Sequence, residues 1–151
     1  MGLDMYLERR HYVKRWGHLP ADRQFIVTVT RGGEPFAAIR PERVSEITEQ
    51  VGYWRKANAI HRWFINQNNG VDDCKEFCVS KDQLRELLAA VTAVLDGADA
   101  ATTLPTQSGF FFGSTDYGED YRTDLVDTQQ ILTPLLAEEN DEADYYYRAS
   151  W

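Results

Sequence analysis

Leu3, Met5 and Leu7 alternate with Asp4, Tyr6 and Glu8, the period of two that a strand with one buried face requires. From Arg9 to Arg23 the chain is polar and broken by Gly17 and Pro20, which predicts a long loop. Phe25 to Thr30 is rich in β-branched residues and runs into Arg31-Gly32-Gly33-Glu34-Pro35, so a strand ending at a turn is predicted. A weaker alternation over Ser45–Val51 sets Ile47 and Val51 against Glu46 and Gln50 and predicts a further strand.

The period then changes. A helix is predicted from about Tyr53 to Gln67, stopped by Asn68-Asn69-Gly70. Ser80-Lys81-Asp82-Gln83 has the form of a capping box and opens a second helix with Leu84, Leu87, Leu88, Val91 and Leu95 on one stripe, closed by Gly97. Residues 98–108 read as a loop and Phe110-Phe111-Phe112 as a short buried strand. Asp116-Tyr117-Gly118-Glu119 predicts a second capping box, with a helix to about Ala137, a stripe of Tyr121, Leu125, Thr128, Leu132 and Leu135, and a kink at Pro134. Tyr145–Arg148 reads as the last strand, and nothing repeats or resembles an interdomain linker. Strands first, then helices and strands intermixed, predict one α+β domain over residues 1–151. A mostly antiparallel sheet, holding the first and last strands, would be packed by about three helices.

At 151 residues and 43% apolar, the chain is sized for one hydrophobic core. Its 13% aromatic content adds large flat faces suited to stacking. No apolar run reaches the length of a membrane span, and Met1-Gly2-Leu3-Asp4-Met5-Tyr6-Leu7-Glu8-Arg9-Arg10 carries charges where a signal peptide needs an apolar stretch. The expectation is a cytoplasmic protein with no membrane partner. Cys74 and Cys78 have three residues between them, the spacing of neither a redox motif nor a zinc site, and read as reduced and structural. A strand over Glu76–Val79 would turn Cys78 inward. Net charge is −8, unevenly spread: residues 1–66 hold 11 Lys/Arg against 7 Asp/Glu, and residues 67–151 hold 5 against 17. That balance argues against a nucleic-acid polymer as partner, while a basic patch from the first half can attract a small anion.

On a helical wheel the segment from Tyr53 separates into two faces. Trp54, Ala57, Ile60, His61, Phe64 and Ile65 share the apolar arc; Arg55 and Arg62 lie on another, with Asn58 at its border. His61 then reads either as a core histidine with a hydrogen-bond partner or as a proton carrier at a pocket floor. Arg55 and Arg62, two turns apart, read either as a solvated face or as a guanidinium pair clamping a phosphate or carboxylate, with Trp54 or Trp63 stacking on a base.

The segment Tyr53-Trp54-Arg55-Lys56-Ala57-Asn58-Ala59-Ile60-His61-Arg62-Trp63-Phe64 resembles a family of small bacteriophage and bacterial proteins. So do Gly2-Leu3-Asp4-Met5-Tyr6-Leu7, Gln107-Ser108-Gly109-Phe110-Phe111-Phe112-Gly113-Ser114-Thr115 and the closing Ser150-Trp151. The resemblance spans the chain and implies a phage or prophage setting; it carries no activity with it.

Gly113, Ser114 and Thr115 precede a predicted helix N-terminus, whose amides can bind an anion, although Asp116 competes for them. The segment lacks the spacing and the Lys of a phosphate-binding P-loop. Asp116, Asp120, Asp124 and Asp127 fall within an arc of about 80° on that helix and read as a solvated face, a metal-binding row or an acidic docking surface. No nucleophile motif accompanies His11, His18 or His61. The leading expectation is a non-catalytic binding protein for a small anionic, nucleotide-like ligand, in a phage setting a sink for a host immune signal. Its contacts would be Trp54, Arg55, Asn58, His61, Arg62, Ser114 and Thr115, with no cofactor and no metal. The alternatives are a metal-dependent phosphohydrolase using the aspartate row and His61, and an acidic protein-binding inhibitor or DNA mimic that docks through the acidic second half, where the stretch Glu138–Asp144 lies. Homo-oligomerisation is left open.

Overall fold

In a computed structural model, which describes residues 2–139 and 142–151, the N-terminal alternation continues beyond Leu7 to form β1, Asp4–Tyr12. β1 pairs antiparallel with β4, Glu46–Arg55, on one side and with β6, Asp144–Ser150, on the other. β5, Phe77–Val79, adds to the far edge of β6, giving the order β4-β1-β6-β5. The period of two sorts the side chains between the faces. Leu3, Met5, Leu7, Trp54, Tyr145, Tyr147 and Ala149 are buried on one. On the other, Arg148 lies over the Tyr6 ring at 4.1 Å and Arg10 over Tyr146 at 4.1 Å, with Glu8 between the two guanidinium groups.

Three helices supply the second layer: α1, Asn58–Gln67; α2, Lys81–Leu95; and α4, Glu119–Ala137. The capping box at α2 forms as the sequence predicts: Ser80 Oγ accepts from Gln83 N at 3.1 Å, and Gln83 Oε1 accepts from Ser80 N at 2.9 Å. Leu84, Leu87 and Val91 of α2 are buried, as is every residue of the predicted α4 stripe. The fold is thus α+β, with a four-stranded antiparallel sheet packed on one core. Among the described residues, no helix is long and apolar enough to cross a membrane.

The predicted strand Phe25–Thr30 is absent. Only β2, Thr30–Arg31, and β3, Glu34–Pro35, pair across Gly32 and Gly33, whose φ values of 63° and 85° make the two-residue turn. β-branched residues favour a strand only where a neighbour and a packed face exist, and no residue from Lys14 to Gln50 is buried. Phe110-Phe111-Phe112 is also not a strand: Phe112 enters the core, whereas Phe110 is 94% exposed. α4 begins three residues after Asp116, with Gly118 as its N-cap, because Asp116 and Tyr117 are held in the preceding loop by Ser114 and Thr106. Within 98–108 a four-residue helix, α3 (Ala100–Thr103), is capped by Asp99. Cys78 is exposed, because the buried Val79 fixes which face of β5 is inward. α4 runs through Pro134 to Ala137.

Since β6 lies between β1 and β5 and carries two fully buried tyrosines, removing residues 143–151 should abolish cooperative unfolding. Circular dichroism melting checks this; a truncated chain melting at the parent temperature would contradict the assigned order.

Candidate functional site

The segment Tyr53–Phe64 is not one helix. Tyr53, Trp54 and Arg55 complete β4, because pairing with β1 holds the chain extended as far as Asp4 opposite Arg55 and the Lys56 N–Leu3 O bond at 2.8 Å. Lys56 then turns the chain at φ 61°, and α1 starts only at Asn58. Sheet pairing outweighs helical periodicity here, and the expectation that Arg55 and Arg62 stack two turns apart is corrected. Alternation in β4 turns Trp54 inward and Arg55 outward. The Trp54 ring lies over Gly52, where a Cβ would come within 2.9 Å of it. Its indole N–H donates to Thr128 Oγ1 at 2.9 Å, so this ring is committed to the core.

Asn58 is buried, and its side chain is fully used. Nδ2 donates to Phe112 O at 3.0 Å and to Ser114 O at 2.8 Å, while Oδ1 accepts from Gln107 N at 3.0 Å. One turn on, Arg62 Nη1 donates to Thr106 O at 2.9 Å. Thr106 Oγ1 donates to Thr115 O at 3.0 Å, and Leu3 N donates to Phe111 O at 3.2 Å. These bonds fix residues 104–118, which have no helix or strand of their own, against the start of α1 and the head of β1. The four segments Gly2–Leu7, Tyr53–Phe64, Gln107–Thr115 and Ser150-Trp151 converge there, the last through the Trp151 ring against Phe112.

His61 has no exposed surface. Its Nδ1 is 2.8 Å from the Tyr147 hydroxyl and its Nε2 is 3.0 Å from Asp72 Oδ2, while Asp72 Oδ1 accepts from the Trp151 indole at 3.2 Å. In the neutral tautomer with its proton on Nε2, the ring donates to Asp72 and accepts from the Tyr147 hydroxyl through Nδ1. Burial, with Asp72 adding to it, holds the Tyr147 hydroxyl well above its ordinary pKa and so keeps it a donor. The core reading of His61 is the one this geometry favours: a satisfied link between α1, β6 and the Asp72 loop, closed to substrate.

Two cations stand at the surface nearby. Arg55 is 60% exposed, and its nearest carboxylate, Asp4, is 3.9 Å away. The Lys56 side chain lies along Gly113, whose added Cβ would meet Lys56 Cβ at 3.2 Å; among the described residues it meets no carboxylate. Ser114 and Thr115 are exposed beside it. The structure thus leaves Arg55, Ser114 and Thr115 exposed, with Lys56 against Gly113 between them in sequence, while Asn58, Arg62, His61 and Trp54 are engaged within the fold. Sequence reasoning missed Asp72, Thr106, Gln107 and Tyr147, which are joined to the site only by tertiary contacts.

The other candidates lie elsewhere. A cavity of about 980 Å³ opens at the Tyr12 end of β1, where Lys14 and Arg23 both pair with Glu142. Glu138 is held by Arg9, so that acidic stretch is ion-paired in part; Asn140 and Asp141 lie outside the described residues. On α4, burial pushes the Asp124 carboxyl up to about 7, with Asp127 and Asp120 adding to it. Asp116 is off the helix, and no group of three or more His, Cys, Asp or Glu among the described residues is arranged to hold a metal ion. The chain matches no family model, no curated protein and no solved structure.

Two stability predictions follow from these geometries. Asn58→Ala leaves two carbonyls and one amide without their buried partner and should cost on the order of 3 kcal/mol, read by chemical denaturation. Asp124 keeps its proton in the folded state up to about pH 7 but loses it near 4 when unfolded, so its contribution to stability falls as pH rises between those values. Asp124→Asn should therefore leave the melting temperature unchanged at pH 4 and raise it at pH 8.

Proposed function

We propose that this protein is a non-catalytic binding protein for a small anionic, nucleotide-like ligand, received where Arg55 and Lys56 meet the Gly113-Ser114-Thr115 loop. The observation that carries this reading is a pair of adjacent exposed cations, Arg55 with only a loose 3.9 Å contact to Asp4 and Lys56 with no ion pair among the described residues, in a chain that ties Arg9, Arg10, Lys14, Arg23, Lys75, Arg85 and Arg148 into closer ones. A guanidinium supplies a planar fork of donors and the ammonium a point charge, which together suit phosphate oxygens. Ser114 and Thr115 add hydroxyl donors, and the exposed ring of Phe110 offers a face on which a base can stack.

The absence of catalysis in this reading is supported by His61 and Tyr147, the groups best suited to proton transfer, being sealed beneath the loop. In the phage setting that the resemblance implies, sequestration of a host nucleotide signal is the concrete form such binding takes. Titration calorimetry with inorganic pyrophosphate and with mono-, di- and cyclic nucleotides tests the proposal. Losing one charge-assisted donor costs about 1.5–3 kcal/mol, so Arg55→Ala should weaken binding about 10- to 150-fold at an unchanged melting temperature. Arg62→Ala should instead lower the melting temperature, because its guanidinium supports the loop. Failure of all these anions to bind, or an affinity indifferent to Arg55→Ala and Lys56→Ala, would overturn the assignment.

A further inference from the structure

The two cations of the anion site converge on one residue. A Cβ added at Gly2 would lie 3.4 Å from Lys56 Cε and 3.7 Å from both Nε and Nη2 of Arg55. Both side chains therefore close over Gly2, and an anion held there meets the two charges together. Asp4 approaches Arg55 from the Nε side, at 3.9 Å, which leaves the terminal nitrogens of the guanidinium fork to the anion.

The neighbouring pair on the same face of the sheet is aromatic. Asp4 is opposite Arg55 and Tyr6 is opposite Tyr53, and the period of two puts all four side chains on the outer face. The Tyr53 hydroxyl donates to Asp4 Oδ1 at 2.6 Å, so one carboxylate joins this ring to the guanidinium. The Tyr53 and Tyr6 rings are 5.4 Å apart. Arg148 lies over Tyr6 at 4.1 Å and is itself held by Glu8 at 3.3 Å. Tyr53 is thus fixed at its hydroxyl and backed on one side, yet it is 45% exposed. Its strand has no neighbour beyond it among the described residues, so the ring keeps a face for a further stacking partner. Phe110 is the other exposed ring near the loop, but among the described residues it packs on Phe111 alone. Ordering such a ring on binding costs more than using one already held.

We infer that the ligand is a nucleoside phosphate bound in one orientation, its phosphate over Gly2 between Arg55 and Lys56 and its base on Tyr53. This placement rests on the anion reading proposed above and adds to it the position of the base. Tyr53 and Arg55 are two residues of strand apart, about 6.6 Å at ~3.3 Å per residue, a reach that the sugar of a single nucleotide covers. Asp4 stands between the two, where its charge keeps the phosphates on the Lys56 side. Every base has a π face, so this arrangement selects a class of ligand and leaves the identity of the base open.

Titration calorimetry of the full chain with adenosine diphosphate and with inorganic pyrophosphate tests this, because both probes carry two phosphates and only one carries a base. The parent chain should bind the nucleotide more tightly than pyrophosphate. Tyr53→Ala should weaken nucleotide binding about 5- to 150-fold and leave pyrophosphate binding unchanged, while Tyr53→Phe keeps the ring and most of the affinity. Arg55→Ala should weaken both probes, and Phe110→Ala neither. Should Tyr53→Ala fail to fold, intermolecular nuclear Overhauser effects in the parent chain decide, with contacts expected between the base protons and the Tyr53 ring. Base contacts to Phe110 or to no ring overturn the placement, as does nucleotide binding indifferent to Tyr53→Ala or an equal loss of both probes. In those cases pyrophosphate binding that depends on Arg55 still upholds the anion reading; if neither probe binds, both fall.

Discussion

The buried amide of Asn58 joins segments that share no secondary structure. Residues 104–118 cross the end of the sheet without helix or strand, and backbone groups taken out of water there must find partners. An asparagine side chain is suited to this because it both donates and accepts, and here it serves two carbonyls and one amide of the same loop. Around that point Leu3 bonds to Phe111, Arg62 to Thr106 and Tyr121 to Leu104. The head of β1, the start of α1 and the crossing loop therefore stand or fall together.

That arrangement divides the polar residues of this region by depth. His61, Tyr147 and Asp72 form a chain whose donors and acceptors are matched, so its value lies in fixing positions. Arg55 and Lys56, one peptide further towards the surface, have no such closure. The left-handed turn at Lys56 makes this separation, carrying the backbone from a strand with an inward Trp54 to a helix with an inward Asn58 while leaving two cations outside.

Much of the fold was legible in the sequence. The first and last strands, the α2 capping box, the stop after Gln67 and the whole buried stripe of α4 follow from local periodicity and capping, which depend on near neighbours. The failures come where a distant partner decides. Tyr53 to Arg55 fit a helical wheel, yet β1 holds them extended; Phe25–Val29 have strand composition and no strand to pair with. For the candidate site, the residue types were readable and their roles were not. Asn58, His61 and Trp54 carry the chemistry of ligand contacts, and only the positions of Phe112, Asp72 and Thr128 reveal that these groups are already engaged. Asp72 stands in a loop with no motif around it, so nothing local marks it as the partner of His61.

The placement of β6 has a consequence for how the chain acquires its structure on the ribosome. The strand that sits between β1 and β5 is made more than 130 residues after β1 begins. Until it emerges, Met5 and Leu7 lack one side of their sheet and β5 has no neighbour at all. Loop closure over so long a separation is slow, and an incomplete sheet with open edges is prone to wrong association in the interval. Those edges close only once the seven-residue β6 is made.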